Sequence, residues 1–160
     1  MKKIALLSIA LLLFNCNSKA QKKGSENKSF EVTKTEAEWK NQLSDMEYYV
    51  LREEGTEPRN SSPFNTNKEN GTYVCKACGT PLFKSEYKYD SGSGWPSFDR
   101  EIEGNVAFST DYNLGYPRTE EHCATCGGHL GHVFNDGPKE TTGKRHCVNG
   151  VSLKFIPENE

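Results

Sequence analysis

His129-Leu130-Gly131-His132-Val133-Phe134-Asn135 and Arg145-His146-Cys147-Val148-Asn149-Gly150-Val151-Ser152-Leu153-Lys154-Phe155-Ile156 flank a connection that holds Asp136-Gly137-Pro138 and Thr142-Gly143. Two apolar, β-favouring arms around turn-forming residues predict a β-hairpin. Pairing centred near residue 140 sets His132 opposite a residue at or next to Cys147, so the loop brings an imidazole to a thiol. Alternation of side chains along the second arm places Cys147, Asn149, Val151, Leu153 and Phe155 on one face of a single strand. Cys147 and Asn149 then point the same way, among core-like neighbours.

The same texture extends outward from the hairpin. From Thr72 onward the apolar runs are short, aromatic or β-branched, and separated by Gly, Pro, Asn and Asp, as in an antiparallel β domain. Before it, Thr35-Glu36-Ala37-Glu38 is a capping box, and Trp39, Leu43 and Met46 recur at helical spacing, which predicts one short helix over about residues 36–46. Residues 52–72 are polar and broken by Gly55, Pro58, Pro63 and Gly71, and read as an extended connection.

Two matching knuckles interrupt the β texture: Cys75-Lys76-Ala77-Cys78-Gly79 and Cys123-Ala124-Thr125-Cys126-Gly127, 44 residues apart. Four soft thiolates at this spacing suit tetrahedral zinc, and a site of four cysteines leaves no open position for substrate, so such an ion is structural. Two short disulfides, or one redox-active pair, are the alternatives.

Cys147 is a further thiol. Alone it reads as a small buried apolar residue; beside Arg145, His146 and Asn149, and across from His129 and His132, it reads as a nucleophile whose neighbours favour thiolate. The two histidines also admit a metal-ligand or a plain structural reading. Asp90-Ser91-Gly92-Ser93-Gly94-Trp95-Pro96-Ser97-Phe98 is a Gly-rich loop that fails the phosphate-binding fingerprint, because Ser97 stands where the third glycine belongs. Trp95 is equally core packing or the wall of a small apolar pocket.

The N-terminus is of another character. Met1-Lys2-Lys3 precedes eleven almost uninterrupted apolar residues, the pattern of an export signal over residues 1–20 and shorter than a bilayer span. Leu13-Phe14-Asn15-Cys16 resembles a lipobox that would lipidate Cys16 and anchor the protein to a membrane; Ser18-Lys19-Ala20 offers ordinary cleavage instead. Residues 21–34 then form a flexible linker to a domain over residues 35–157. Loss of Lys2, Lys3 and Lys19 from the 20 basic residues leaves 17 against 22 acidic, a net charge of −5. That disfavours a nucleic-acid or basic membrane-surface partner. The expected location is the cell envelope or periplasm.

Taken together, the two knuckles, Lys88-Tyr89-Asp90 with the Gly-rich loop to Phe98, Arg118-Thr119-Glu120, Gly128-His129-Leu130-Gly131-His132-Val133-Phe134, Asp136-Gly137-Pro138 and Arg145-His146-Cys147-Val148-Asn149 resemble the methionine-R-sulfoxide reductase (MsrB) family. The match runs from about Trp39 to Phe155. The resemblance implies a mainly β fold of two antiparallel sheets, with a short N-terminal helix and one structural zinc on Cys75, Cys78, Cys123 and Cys126. It implies that Cys147 is the nucleophile, that Trp95 packs on the methyl group of the oxidised methionine, and that His132, helped by His129, bonds the sulfoxide oxygen or its bound water. Asn149 would help to arrange substrate and histidines. The implied reaction is reduction of the R epimer of peptide-bound methionine sulfoxide, leaving Cys147 as sulfenic acid.

Four positions depart from the family pattern. Ser93 stands where many members carry a resolving cysteine, His146 where Tyr or Phe is usual, and Gly150-Val151 where Ser-Ala is common. With four cysteines on zinc and Cys16 lipidated or removed, no thiol remains to resolve Cys147, so a thioredoxin-like or other external thiol is the expected reductant. Two rival readings are a zinc-stapled binding module, in which Cys147 has no task, and a Cys-His acyl-transfer hydrolase, for which Asn149 is the available oxyanion donor.

Overall fold

The computed structural model describes residues 30–158. The export signal, Cys16 and residues 21–29 of the linker lie outside the described residues. Phe30 and Val32 already pack on the second knuckle: the Phe30 ring meets His122 edge-on at 6.0 Å, and the Val32 N–H donates to the Thr125 carbonyl at 3.0 Å.

Two antiparallel sheets form the body. One holds three strands in the order β2 (Pro81–Lys84), β1 (Gly71–Cys75), β9 (Leu153–Pro157). The other holds six, in the order β3 (Lys88–Tyr89), β4 (Ser97–Phe98), β8 (Arg145–Val148), β7 (His129–Phe134), β6 (Arg118–Cys123), β5 (Val106–Asp111). Aromatic residues knit the sheets together. Phe83 stacks on Phe98 with ring centroids 4.4 Å apart, and Tyr73 meets Phe98 at 5.1 Å. All three are fully buried, as are Leu82, Leu130 and Val148.

The expected single helix is two. α1 (Glu36–Gln42) ends at Leu43, whose backbone is extended, and α2 (Asp45–Glu53) starts on a second capping box of Ser44 and Glu47. A second capping box nine residues after the first outweighs a continuous apolar stripe, because it satisfies N–H groups that a helix start leaves orphaned. Trp39 and Leu43 are buried as the spacing implies; Met46 is 41% exposed, and Val50 and Leu51 take the inward positions.

The hairpin forms in the expected register, with His132 paired to Cys147 and Val133 to His146. Its second arm is not one strand, however. β8 stops at Val148, residues 150–152 make a tight turn, and β9 crosses to the other sheet to pair with β1. The cause is Glu57, only 2% exposed, whose carboxylate accepts the Gly150 N–H at 2.6 Å and the Val151 N–H at 3.0 Å. Those donors are taken out of any ladder, and the chain turns. Gly150 is also required by space: a Cβ there would lie 1.9 Å from the Ser62 hydroxyl.

Candidate active site and metal centre

Cys147 and His132 are directly opposed on β8 and β7 and so project from the same face. His129 joins them by an irregularity. The ladder pairs Glu121 with Gly131 and then His122 with His129, leaving Leu130 without a partner. Strict alternation would put His129 and His132 on opposite faces; the bulge re-aims His129, and the two rings lie 5.5 Å apart.

Carboxylates from the β5–β6 hairpin hold both histidines. His132 Nε2 meets Asp111 Oδ2 at 2.7 Å, and His129 Nδ1 meets Glu120 Oε1 at 2.8 Å. Arg118 donates to the same Asp111 oxygen, the Asn113 N–H to the other at 2.6 Å, and the Ser109 hydroxyl to Glu120 at 2.6 Å. Burial works to raise Asp111, but the donations from Asn113, His132 and Arg118 together hold it at about 2. Burial likewise pushes His132 down, more than the Asp111 contact pulls it up.

Trp95 is fixed at both ends. Its indole N–H donates to the Glu57 carbonyl at 3.2 Å and its backbone N–H to the Ser93 hydroxyl at 3.3 Å. It faces a cleft of about 180 Å³ together with Thr56, Arg118, His132, Phe134, Cys147 and Asn149. That volume is room for one amino-acid side chain. A larger hollow of 590 Å³ lies between residues 65–70 and 85–90, but holds no thiol or imidazole. Gly131 floors the cleft, where a Cβ would stand 2.0 Å from the Cys147 carbonyl.

Asn149 is buried and committed to main chain: Oδ1 accepts the Glu57 N–H at 2.9 Å and Nδ2 donates to the Leu130 carbonyl at 3.0 Å. It therefore braces the bulge between the two histidines. Ser93 Oγ lies 3.8 Å from Cys147 Sγ, the place from which a second thiol would reach it.

The neighbours of Cys147 in sequence do less for it than their charges suggest. His146 points to the opposite side, fully buried, with Nδ1 2.7 Å from Glu121 and Nε2 3.2 Å from Glu101. Arg145 forms a two-bond pair with Asp136 at 2.8 and 2.9 Å, its guanidinium over the Phe134 ring. Burial pushes the Cys147 thiol up, beyond what Ser93 and Arg145 recover. The resting centre thus holds its proton on sulfur, contrary to the expectation of a ready thiolate.

Glu57, Asp111 and Glu120 are the residues that sequence reasoning did not assign a task. Ser109, Asp111, Arg118 and Glu120 flank the turn signal Asn113-Leu114-Gly115 at alternating positions. A hairpin drawn there would have placed all four on one face.

Away from the cleft, the Sγ atoms of Cys75, Cys78, Cys123 and Cys126 all lie within 4.8 Å of one another. The closest contacts cross between knuckles, 3.7 Å for Cys75 to Cys126 and 3.5 Å for Cys78 to Cys123. Tetrahedral zinc with Zn–S bonds of about 2.3 Å has sulfur–sulfur edges of roughly 3.8 Å, so the cage fits that ion.

A family model described as the SelR domain matches residues 43–157. The chain is 50% identical over 131 residues to a Leptospira interrogans protein named peptide methionine sulfoxide reductase MsrB, covering 81% of this chain and 99% of that one. It is 47% identical over 130 residues to the protein of that name from Chromohalobacter salexigens, covering 81% and 98%. It is 44% identical over 133 residues to mouse methionine-R-sulfoxide reductase B3, mitochondrial, covering 82% of this chain and 52% of that one. A domain match over most of the described residues and near-complete alignment with two such relatives place this chain in the MsrB (SelR-domain) family.

Proposed function

We propose that the protein reduces the R epimer of peptide-bound methionine sulfoxide to methionine. The carrying observation is that Cys147 and His132 are paired across one hairpin and share a side-chain-sized cleft with Trp95. The Trp95 ring takes the S-methyl group, and its placement relative to the histidines selects the epimer.

Asp111 is ionised and keeps a proton on His132 Nε2, so Nδ1 takes the Cys147 proton and returns it to the sulfoxide oxygen. The Cys147 sulfur attacks the sulfoxide sulfur. The hydroxyl then passes from the methionine sulfur to the Cys147 sulfur as the methionine S–O bond and the new sulfur–sulfur bond break, methionine departs with the sulfur–sulfur electron pair, and Cys147 is left as sulfenic acid. Methionine is reduced by two electrons and the cysteine oxidised by two. An external thiol, thioredoxin-like or small, condenses with the sulfenic acid to give a mixed disulfide and water; a second thiol releases Cys147. His129, held by Glu120, and Asn149, through the Leu130 carbonyl, keep His132 in place.

One structural zinc on Cys75, Cys78, Cys123 and Cys126 ties the end of β1 in the smaller sheet to the end of β6. Export through residues 1–20 and lipidation at Cys16 would hold the enzyme in the cell envelope beside oxidised proteins. Fractionation of cells carrying Cys16→Ser tests this: release from the membrane fraction supports the anchor, and an unchanged distribution rejects it.

Single turnover without reductant tests the chemistry. The expected yield is one methionine per chain, with one added oxygen on Cys147 that a sulfenic-acid trap captures. An internal disulfide to Cys147, or methionine formed by Cys147→Ser, contradicts the proposal.

A further inference from the structure

The loop between Asp111 and Arg118 runs Tyr112-Asn113-Leu114-Gly115-Tyr116-Pro117, and its two roots meet through the Arg118–Asp111 ion pair at the cleft wall. Tyr112 is 66%, Leu114 60% and Tyr116 55% exposed, the highest values among the exposed large apolar side chains of the described residues. The loop is a formed turn: Asn113 N–H donates to Asp111 at 2.6 Å, Gly115 N–H to the Tyr112 carbonyl at 2.8 Å, and Gly115 has a φ of 82°. Single exposed apolar residues are ordinary on any protein. Three on one ordered turn, attached to the residues that hold His132, call for an occupant.

We infer that this loop reads apolar residues flanking the oxidised methionine in a polypeptide, and so sets which sulfoxides are repaired fastest. The inference rests on the reductase reading of the cleft. A cleft of about 180 Å³ admits one side chain. The peptide backbone must then lie across its mouth, with the neighbouring residues on the rim where the loop is rooted. Methionine is mostly a core residue, and its sulfoxide is polar enough to break core packing. The segment that presents it therefore carries apolar neighbours newly exposed to water. Tyrosines bury large area with few rotamers to freeze, which suits varied apolar partners.

The test compares two pentapeptides with a central methionine sulfoxide, one flanked by Phe and Leu and one by Gly and Ser, as a ratio of kcat/KM on the full chain. The apolar peptide is expected to be favoured about tenfold, the scale of one side chain's pocket contacts. In the triple variant Tyr112→Ser, Leu114→Ser, Tyr116→Ser the ratio falls to near one, through KM. Because the ratio is internal to each protein, a change in the folded fraction does not move it. Ile156→Ser, an exposed apolar site on the other sheet, keeps the preference.

A ratio near one in the unchanged chain, or the same preference in the triple variant, overturns the inference while free methionine sulfoxide is still reduced. If neither peptide nor free sulfoxide is reduced, the reductase reading fails and takes the inference with it. Loop-dependent pelleting with phosphatidylcholine–phosphatidylglycerol vesicles, with the peptide ratio unchanged in the triple variant, assigns the loop to a lipid surface and overturns it as well.

Discussion

At the residue scale, the burial of Cys147 bears on how the proposed reaction starts. Burial lifts its thiol, and the Ser93 and Arg145 contacts recover only part of that rise. A raised pKa means a smaller thiolate fraction at neutral pH, so alkylation by iodoacetamide is slow and accelerates as pH rises. Its midpoint is expected above the roughly 8.5 of an unperturbed cysteine, measured on substrate-free protein with the knuckle cysteines holding zinc; a midpoint below that value contradicts the assignment. In the proposed reaction, activation therefore belongs to the complex, where His132 and the sulfoxide oxygen would share the proton. Ser93, 3.8 Å from the same sulfur, yields a second prediction. Ser93→Cys supplies a thiol within reach, and mass spectrometry after sulfoxide treatment is expected to show an internal disulfide in place of the sulfenic acid.

Elements decide whether these residues meet. Glu57 joins two of them, Asn149 and Trp95, through its backbone, and its carboxylate turns the chain after Val148. Glu57→Ala strands the buried Gly150 N–H and the half-buried Val151 N–H at about 1–3 kcal/mol each, so a loss of about 2–6 kcal/mol in urea unfolding is expected. The hairpin register was legible in the sequence because turn residues fix pairing over a short loop, and Cys147 with His132 followed from it. The break after Val148 was not. It depends on a carboxylate 93 residues away along the chain, in a segment whose polarity reads only as a connection. The facing of His129 was hidden for a related reason: a bulge shifts the side-chain alternation without altering composition. Apolar spacing alone points to one helix, whereas Ser44-Asp45-Met46-Glu47, a cap plainly present in the letters, divides it into two.

At the scale of the whole molecule, the two knuckles and the two sheets are one structure. Cys75 ends β1 in the smaller sheet and Cys123 ends β6 in the larger, so an ion on both ties sheet to sheet. One zinc per chain is expected by elemental analysis. Its removal by a chelator should lower the melting temperature well beyond what the cleft substitutions do, because metal binding in such sites is folding free energy; an unchanged melting curve argues for a cage that does not need metal. The cleft lies on the larger sheet, apart from the knuckles, and the proposed chemistry runs through Cys147 and the two carboxylate-held histidines. The most direct test of that claim follows both epimers of a racemic methionine sulfoxide peptide with dithiothreitol on a column that separates them. The account predicts that the R form disappears, the S form persists and Cys147→Ser consumes neither; loss of the S form, or R turnover that survives Cys147→Ser, would contradict it.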